Sequence, residues 1–309
     1  MYAQDSDLTS YGELSLVKTA DRLECFIPHD ECDETCAPAM EIGSAKFLLE
    51  HYPPARPPDS EIKQLIAHYY DVVCSNSDAH SLQNQEITRY AATLDEFASQ
   101  LVSSCIGVKP LNIMSIGVGR TRREELIVRN FRSGISSFIV SDASKNMCIK
   151  ASEVGFDFLY GFWQDFVIRD QLVALDLIFA LDCSENLSSM EEAHRFMRNA
   201  SAALGKDGFM LIDFHNIEDE TGWGKSLKDA FTSEVLAEKG YELGECFFRR
   251  SDLSEICYSR HFSCDQIVEL IKLNGLDLVA IEYLAKSTGE IIENLDPRAG
   301  SFILLLRKL

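Results

Sequence analysis

The residues best placed to do chemistry are two glycines and an aspartate. Gly117-Val118-Gly119 follows the apolar run Leu111 to Ile116, and Asp142 stands 23 residues beyond Gly119, at the end of a second apolar run. Glycines at a strand end let the backbone turn tightly and approach a ligand, and a helix starting there presents free N–H groups. An acid after the next strand accepts the hydroxyls of a ribose. Strand, GxG, helix, strand, acid is an order that suits an adenosine-bearing ligand. The plainer alternative is a tight turn followed by a helix N-cap at Asp142. A dinucleotide fingerprint needs a third glycine three residues after the second, and Arg122 stands there instead, which weakens a nicotinamide reading. A separate group, Cys25, His29, Cys32 and Cys36, has zinc-type ligands, but its spacing fits none of the standard ligand pairs. The acids around it raise thiol pKa and lower reactivity, and no metal site is expected.

Such a site needs strands that end together. After Pro110 the pattern alternates: LNIMSIG, SSFIVSDAS, FDFLYGF, ALDLIFALD and GFMLIDFHN read as five strands, with helices over Thr121 to Arg132, Lys145 to Val154 and Met190 to Leu204. Near-continuous apolar strands in βα units imply a parallel sheet covered on both faces, doubly wound by the right-handed crossover rule. The tail adds a helix at Cys264 to Asn274 and then strands at Leu276 to Tyr283 and in SFILLLRKL, joined without a helix and hence antiparallel. The fold class expected is α/β: a doubly wound, seven-stranded, mostly parallel sheet with an antiparallel C-terminal hairpin and a helical N-terminal extension. Helical spacing of apolar residues also predicts helices from Asp59 and over Gln85 to Ser104.

The stretches IMSIGVGRT, VSDASKNMCIKA, LDLIFALDCSENL and AALGKDGFMLIDFHN, in that order and followed by the terminal hairpin, resemble the class I S-adenosylmethionine-dependent methyltransferases over about residues 62 to 309. The likeness implies S-adenosylmethionine as cofactor, S-adenosylhomocysteine as product, and a small-molecule acceptor with N or O as the acceptor atom. It also implies roles by position. Gly117 and Gly119 would line the methionine part, and Asp142, with Ala143 beside it, the ribose. Met147 would pack under the adenine. Gln164 or Asp165 would meet the adenine amino group, and Trp163 would stack on it. Asp182 and Cys183 would sit near the methionine end, and Tyr70 would lie on an N-terminal helix closing over the site. His215 and Glu185 are the candidates for a base or substrate contact, since histidine titrates near neutrality and a carboxylate can hold an amine or cationic acceptor. Trp223 falls in an insert that in related proteins often joins a substrate lid, and Arg249 and Arg250 could face an acidic substrate or end a solvated strand. Two positions depart from the family: Ser115 where an acid is usual, and Thr121 where a third glycine is common. A catalytically silent relative serving as a binding or scaffold module is therefore the alternative, with a nicotinamide oxidoreductase behind it.

The 309 residues carry 49 acids and 29 bases, a net charge of −20. That disfavours nucleic acids and anionic membrane surfaces as partners. The first sixty residues hold twelve acids and four bases, whereas residues 111 to 150 hold seven bases and three acids. The N-terminal stretch lacks the basic and apolar regions of a signal peptide, so a cytoplasmic location with reduced cysteines is expected. The sequence leaves oligomeric state open. The division expected is an acidic extension with a Pro-rich linker over 1–60, a helical cap segment over 61–105, and a Rossmann-like domain over 106–309 with an insert at about 217–255.

Overall fold

The computed structural model describes residues 39–309 except 43–44, 50–51, 76–88, 108, 120, 169–171, 173, 234, 251–252 and 294–295. The Cys25, His29, Cys32, Cys36 group, Arg120 and most of the acidic extension lie outside the described residues.

Seven of the strands are those expected from the sequence. β3 (Leu111–Ile116), β4 (Ile135–Asp142), β5 (Asp157–Tyr160), β6 (Leu175–Ala180) and β7 (Leu204–His215) run parallel. β12 (Ser301–Lys308) inserts antiparallel between β7 and β10 (Leu276–Leu284). A two-residue β11 (Ile291–Ile292) extends the edge, so the sheet has eight strands in the order β11-β10-β12-β7-β6-β3-β4-β5. The chain winds outward from β3 through β4 and β5, then returns to the other side of β3 with β6 and β7. The crevice between the β3 and β6 ends is thus the topological switch point, where open α/β sheets bind ligands. Core strands are apolar on both sides because both faces are covered: Ile113 and Leu177 serve one face, and Met114 and Ile178 the other.

Helices α1 (Asp59–Ser75), α2 (Arg89–Cys105), α3 (Arg122–Phe131), α4 (Lys145–Glu153), α5 (Met190–Ala203), α6 (Gly224–Ser233) and α7 (Cys264–Leu273) complete the fold. Three begin on the caps their sequences offer: Ser144 accepts from the Met147 amide, Ser189 from Glu192, and Ser263 forms a capping box with Gln266. α2 packs its Leu94, Phe97, Ala98 and Leu101 face on the sheet, whereas α1 lies against α4 and the insert.

The second layer has no counterpart in the sequence reading. β1 (Ala39–Ile42), β2 (Ala45–Leu49), β8 (Glu245–Arg250) and β9 (Ile256–Arg260) form a separate antiparallel sheet in that order. The region expected as an insert thus supplies β8 and α6, and two strands from the N-terminal side, β1 and β2, join it. Its own core contains Ile62, Ile66, Tyr69, Trp223, Phe247 and Tyr258. Trp223 is 2% exposed and belongs to this core rather than to a lid surface. Arg250 is also buried within β8, not at a solvated strand end. The two sheets meet where the Phe262 amide donates to the His215 carbonyl at 2.7 Å and the Ile217 amide donates to the Phe262 carbonyl at 3.1 Å.

Candidate active site

The glycine loop is held by backbone. The amides of Gly117 and Val118 both donate to the Ser141 carbonyl, at 2.9 and 3.1 Å, which ties the end of β3 to the end of β4. Gly117 has φ +66, and a Cβ there would stand 2.4 Å from Cys183 Cβ, so the β3 and β6 loops meet across this glycine. Gly119 has φ +54, with open space where a Cβ would project. Its amide donates to Asp142 Oδ2 at 3.0 Å, and the Ser144 amide donates to Oδ1 at 2.8 Å. Burial pushes the Asp142 carboxyl up to about 6 against the pull of these amides. Each carboxylate oxygen keeps a further lone pair for a ligand hydroxyl.

The two departures from the family pattern have local answers. Ser115 is fully buried, and its Oγ donates to Glu124 Oε1 at 2.7 Å. A buried acid from the first turn of α3 thus stands beside the β3 position where the family usually has one. Thr121 is buried and adopts the left-handed region at φ 63, a conformation that costs a side-chain-bearing residue roughly 1–2 kcal/mol.

α1 closes over this half. Asp71 Oδ1 accepts from Ser144 Oγ at 2.6 Å and from the Asn146 amide at 3.1 Å. Ala143 lies half-buried between them, and Met147 is 3% exposed just inside α4. Beyond β5 the three candidates separate. Trp163 is buried, donates its indole N–H to the Phe196 carbonyl at 3.3 Å and packs edge-on against Phe166; its ring serves the core and is not presented for stacking. Asp165 is engaged with Lys63 at 2.9 Å and Arg195 at 2.5 Å. Gln164 is buried, and its Nε2 has no partner among the described residues.

The other half gathers side chains at the ends of β6, β7 and β10. Asp182 sits at φ 59 with a solvent-facing carboxylate, and its amide donates to Asp213 Oδ1 at 2.6 Å. Asp213 is fully buried and takes a 2.6 Å hydrogen bond from the Tyr90 hydroxyl. Lys286, 6% exposed, donates to Asp182 Oδ1 at 3.2 Å and to His215 Nε2, and its ammonium lies 4.2 Å from the Tyr90 ring centre. An ammonium only donates, so His215 Nε2 is the unprotonated ring nitrogen. Burial and the Lys286 charge hold His215 well below its usual range and lower neighbouring His261 to about 3. Glu185 is buried, with Oε2 unpaired and 3.9 Å from His215 Nε2. Burial and the nearby Asp182 and Asp213 push its carboxyl up to about 8. One ligand atom each from Asp182, Glu185 and His215 lies within 4.8 Å of the others. Cys183 is half-buried, its thiol pushed up by burial and these acids. From α1, the Tyr70 hydroxyl accepts from Asn186 Nδ2 at 3.3 Å.

The segment that follows Glu185 is gripped from outside the main sheet. Arg56 donates to the Ser188 carbonyl at 2.5 Å, Tyr258 to the same carbonyl at 3.1 Å, and Arg260 to the Leu187 carbonyl at 3.2 Å. The two arginines and Tyr258 all meet Glu245. Lys286, Asp213, Tyr90 and this grip were not found from the sequence. Lys286 stands in a polar turn and carries no motif.

No protein-family profile matches the sequence, and no curated protein is significantly similar to it. Solved structures are similar in fold. The Burkholderia thailandensis 1,6-didemethyltoxoflavin-N1-methyltransferase, with bound substrate and S-adenosylhomocysteine, aligns over 88% of this chain and 99% of its own at TM-score 0.54 and 14% identity. A SAM-dependent methyltransferase from Methanosarcina mazei aligns over 66% of this chain and 95% of its own at 0.51 and 14% identity. Another from Clostridium acetobutylicum covers 76% and 99% at 0.51 and 12% identity. The chain has the fold of the class I S-adenosylmethionine-dependent methyltransferases.

Proposed function

We propose that the protein is an S-adenosylmethionine-dependent methyltransferase acting on a small molecule. The observation that carries this reading is the Gly119 amide on the Asp142 carboxylate at the switch point of the sheet. The donor set fits the cofactor. Asp142 offers acceptors to a ribose, Gln164 Nε2 is a buried donor suited to an adenine ring nitrogen, and the open face of Gly119 leaves room for a ligand against the backbone. Met147 and Ala143 would bound the adenine side, and Gly117, Cys183 and Asp182 the methionine end. When bound, the cofactor supplies a methyl group already activated on a sulfonium, so this chain's task is to position the acceptor and exclude water. α1, bonded through Asp71 to the loop after β4 and through Tyr70 to Asn186, serves as the cover. Glu185 and His215 stand where an acceptor would lose a proton. With the net charge of −20, a small acceptor fits better than a polyanion.

Titration calorimetry with S-adenosylhomocysteine tests the reading: micromolar binding that weakens in Asp142→Asn supports it, and no binding at millimolar ligand overturns it. One observation favours the silent relative. His215 Nε2 is already occupied by Lys286. Cofactor binding without methyl transfer to any of a broad acceptor panel would select that reading.

A further inference from the structure

The half of the site around Glu185 is rich in acceptors and poor in free donors. Glu185 is 8% exposed, and its Oε2 has no hydrogen-bond partner among the described residues although it lies near His215 and Asp182. On the adjoining residue, Asn186 Nδ2 is spent on the Tyr70 hydroxyl while Oδ1, also out of solvent, has no partner among the described residues. Asp182 adds a carboxylate open to solvent. Buried acceptors without a partner are unfavourable because burial has removed their water, and a ligand bearing several N–H donors removes that cost. Among the described residues the strong donors nearby are already committed: Lys286 to Asp182, His215 and the Tyr90 ring, and Arg123 to Asp95 and Glu124.

We propose that the methyl acceptor is a small primary or secondary amine, bound as its ammonium ion by Glu185 Oε2, Asn186 Oδ1 and the Asp182 carboxylate, with Glu185 taking the proton that the nitrogen must lose. The proposal rests on the methyltransferase reading above. An ammonium supplies two or three donors with a positive charge and so matches this set, whereas an alcohol supplies one. A divalent metal fits less well: the Lys286 ammonium already contacts Asp182 and His215, two of its three candidate ligands, and its charge repels a dication about twice as strongly as an ammonium ion, which needs no inner-shell ligand from His215.

The step balances. The bound ammonium passes one N–H proton to the Glu185 carboxylate, and the freed lone pair forms the N–C bond. The carbon–sulfur bond breaks with its electrons left on sulfur, the product departs as a methylated ammonium, and Glu185 releases its proton to water. The groups facing Glu185 are Asp182 and Cys183 on its own loop, Asp213 and His215 from β7, Tyr70 from α1, Cys257 from β9 and Lys286 after β10. Burial among them raises the carboxyl to about 8, which brings its proton affinity near that of an amine. The Lys286 charge also favours the neutral amine needed for attack.

The test is binding to the protein loaded with S-adenosylhomocysteine. Benzylamine and phenethylamine are each titrated against the alcohol of the same skeleton, and magnesium chloride is titrated separately. The expected result is at least tenfold tighter binding of each amine, rising from pH 6 to pH 8. Glu185→Gln should erase both the preference and the pH dependence while S-adenosylhomocysteine binds as before. Asn186→Leu, which keeps the carboxylate, should lower amine affinity severalfold and leave the alcohols unchanged; this arm stands if Glu185→Gln does not fold. Equal binding of amine and alcohol, an undiminished preference in both variants, or magnesium bound tightly in place of the amine would overturn the proposal alone. Failure to bind S-adenosylhomocysteine would overturn the methyltransferase reading beneath it.

Discussion

The two halves of the site are built in opposite ways. The half around Gly117, Gly119 and Asp142 is made mainly of main-chain amides on the Asp142 carboxylate and carbonyls, joining residues about 23 apart in sequence, with Asp71 of α1 reaching in from 73 residues away. The half around Glu185 is made of side chains brought together over 71 residues for Lys286 and His215, 116 for Asn186 and Tyr70, and 132 for Arg56 and Ser188. Backbone geometry tolerates changes of side chain but not of conformation. A site assembled from distant side chains can be altered one residue at a time, so under the proposed function cofactor binding and acceptor choice would be separable.

That separation can be broken at its most rigid point. Gly117→Val places a β-branched side chain at φ +66 and against Cys183, where even a Cβ has only 2.4 Å. S-adenosylhomocysteine binding should fall at least 100-fold, with several kcal/mol of stability lost by analogy with other overpacked, strained sites. Calorimetry and thermal melting check both.

Asp142→Asn is gentler. It removes charge-assisted hydrogen bonds worth about 1.5–3 kcal/mol, so affinity for S-adenosylhomocysteine should drop roughly 10- to 100-fold without unfolding. In the wild type the carboxyl, raised to about 6, gains its proton as pH falls. Cofactor affinity should be flat above that pH and decline below it, and the variant should lack this decline. A wild-type profile flat down to pH 4.5 would mean that Asp142 does not hold the ligand.

On the other side, Arg56→Lys keeps the charge but loses the forked contacts to Glu245, Asp59 and Ser188. Stability should fall by about 1–2 kcal/mol, and the acceptor KM should rise severalfold while the cofactor Kd stays within a factor of two. Equal changes in both constants would show that the halves are not independent.

The smallest effect is a pH dependence of stability. The Glu185 carboxyl keeps its proton in the folded chain up to about 8, while the unfolded chain ionises near its ordinary value. Between these values the folded state binds more protons, so wild-type stability contributed by this group falls as pH rises. Glu185→Gln lacks the term. Its melting temperature relative to wild type should shift upward between pH 5 and pH 8, by the equivalent of roughly 1–2 kcal/mol, less than the full shift implies because water penetrates such sites.

The contrast also explains what could be read before the structure. Glycines, a strand end and an acid at fixed spacing encode a local geometry, so Gly117, Gly119 and Asp142 were legible together with the strands that carry them. The long parallel strands announced themselves by unbroken apolar runs. Ser115 looked like a loss because its partner Glu124 arrives from the next helix rather than from the strand. Trp163 looked like a stacking ring because aromatic character does not say which side of a loop faces the core. Lys286 and Arg260 carried no signal, since nothing near them in sequence shows the Asp182, His215, Glu242 and Glu245 partners that burial brings. The second sheet escaped for the same reason: β2 and β8 pair Phe47 with Arg250, across about two thirds of the chain.

The grip of Arg56 on Glu245 has a consequence for how the molecule assembles. Their contact closes a span of 189 residues, against 23 for Gly119 and Asp142, and loop-closure entropy makes the longer one about 2 kcal/mol harder to form before other structure shortens it. During synthesis the glycine loop and Asp142 also leave the ribosome roughly a hundred residues ahead of Glu245. The crevice proposed for the nucleotide is therefore closed by short spans that leave the ribosome early, and the contacts proposed to position the acceptor depend on chain made later.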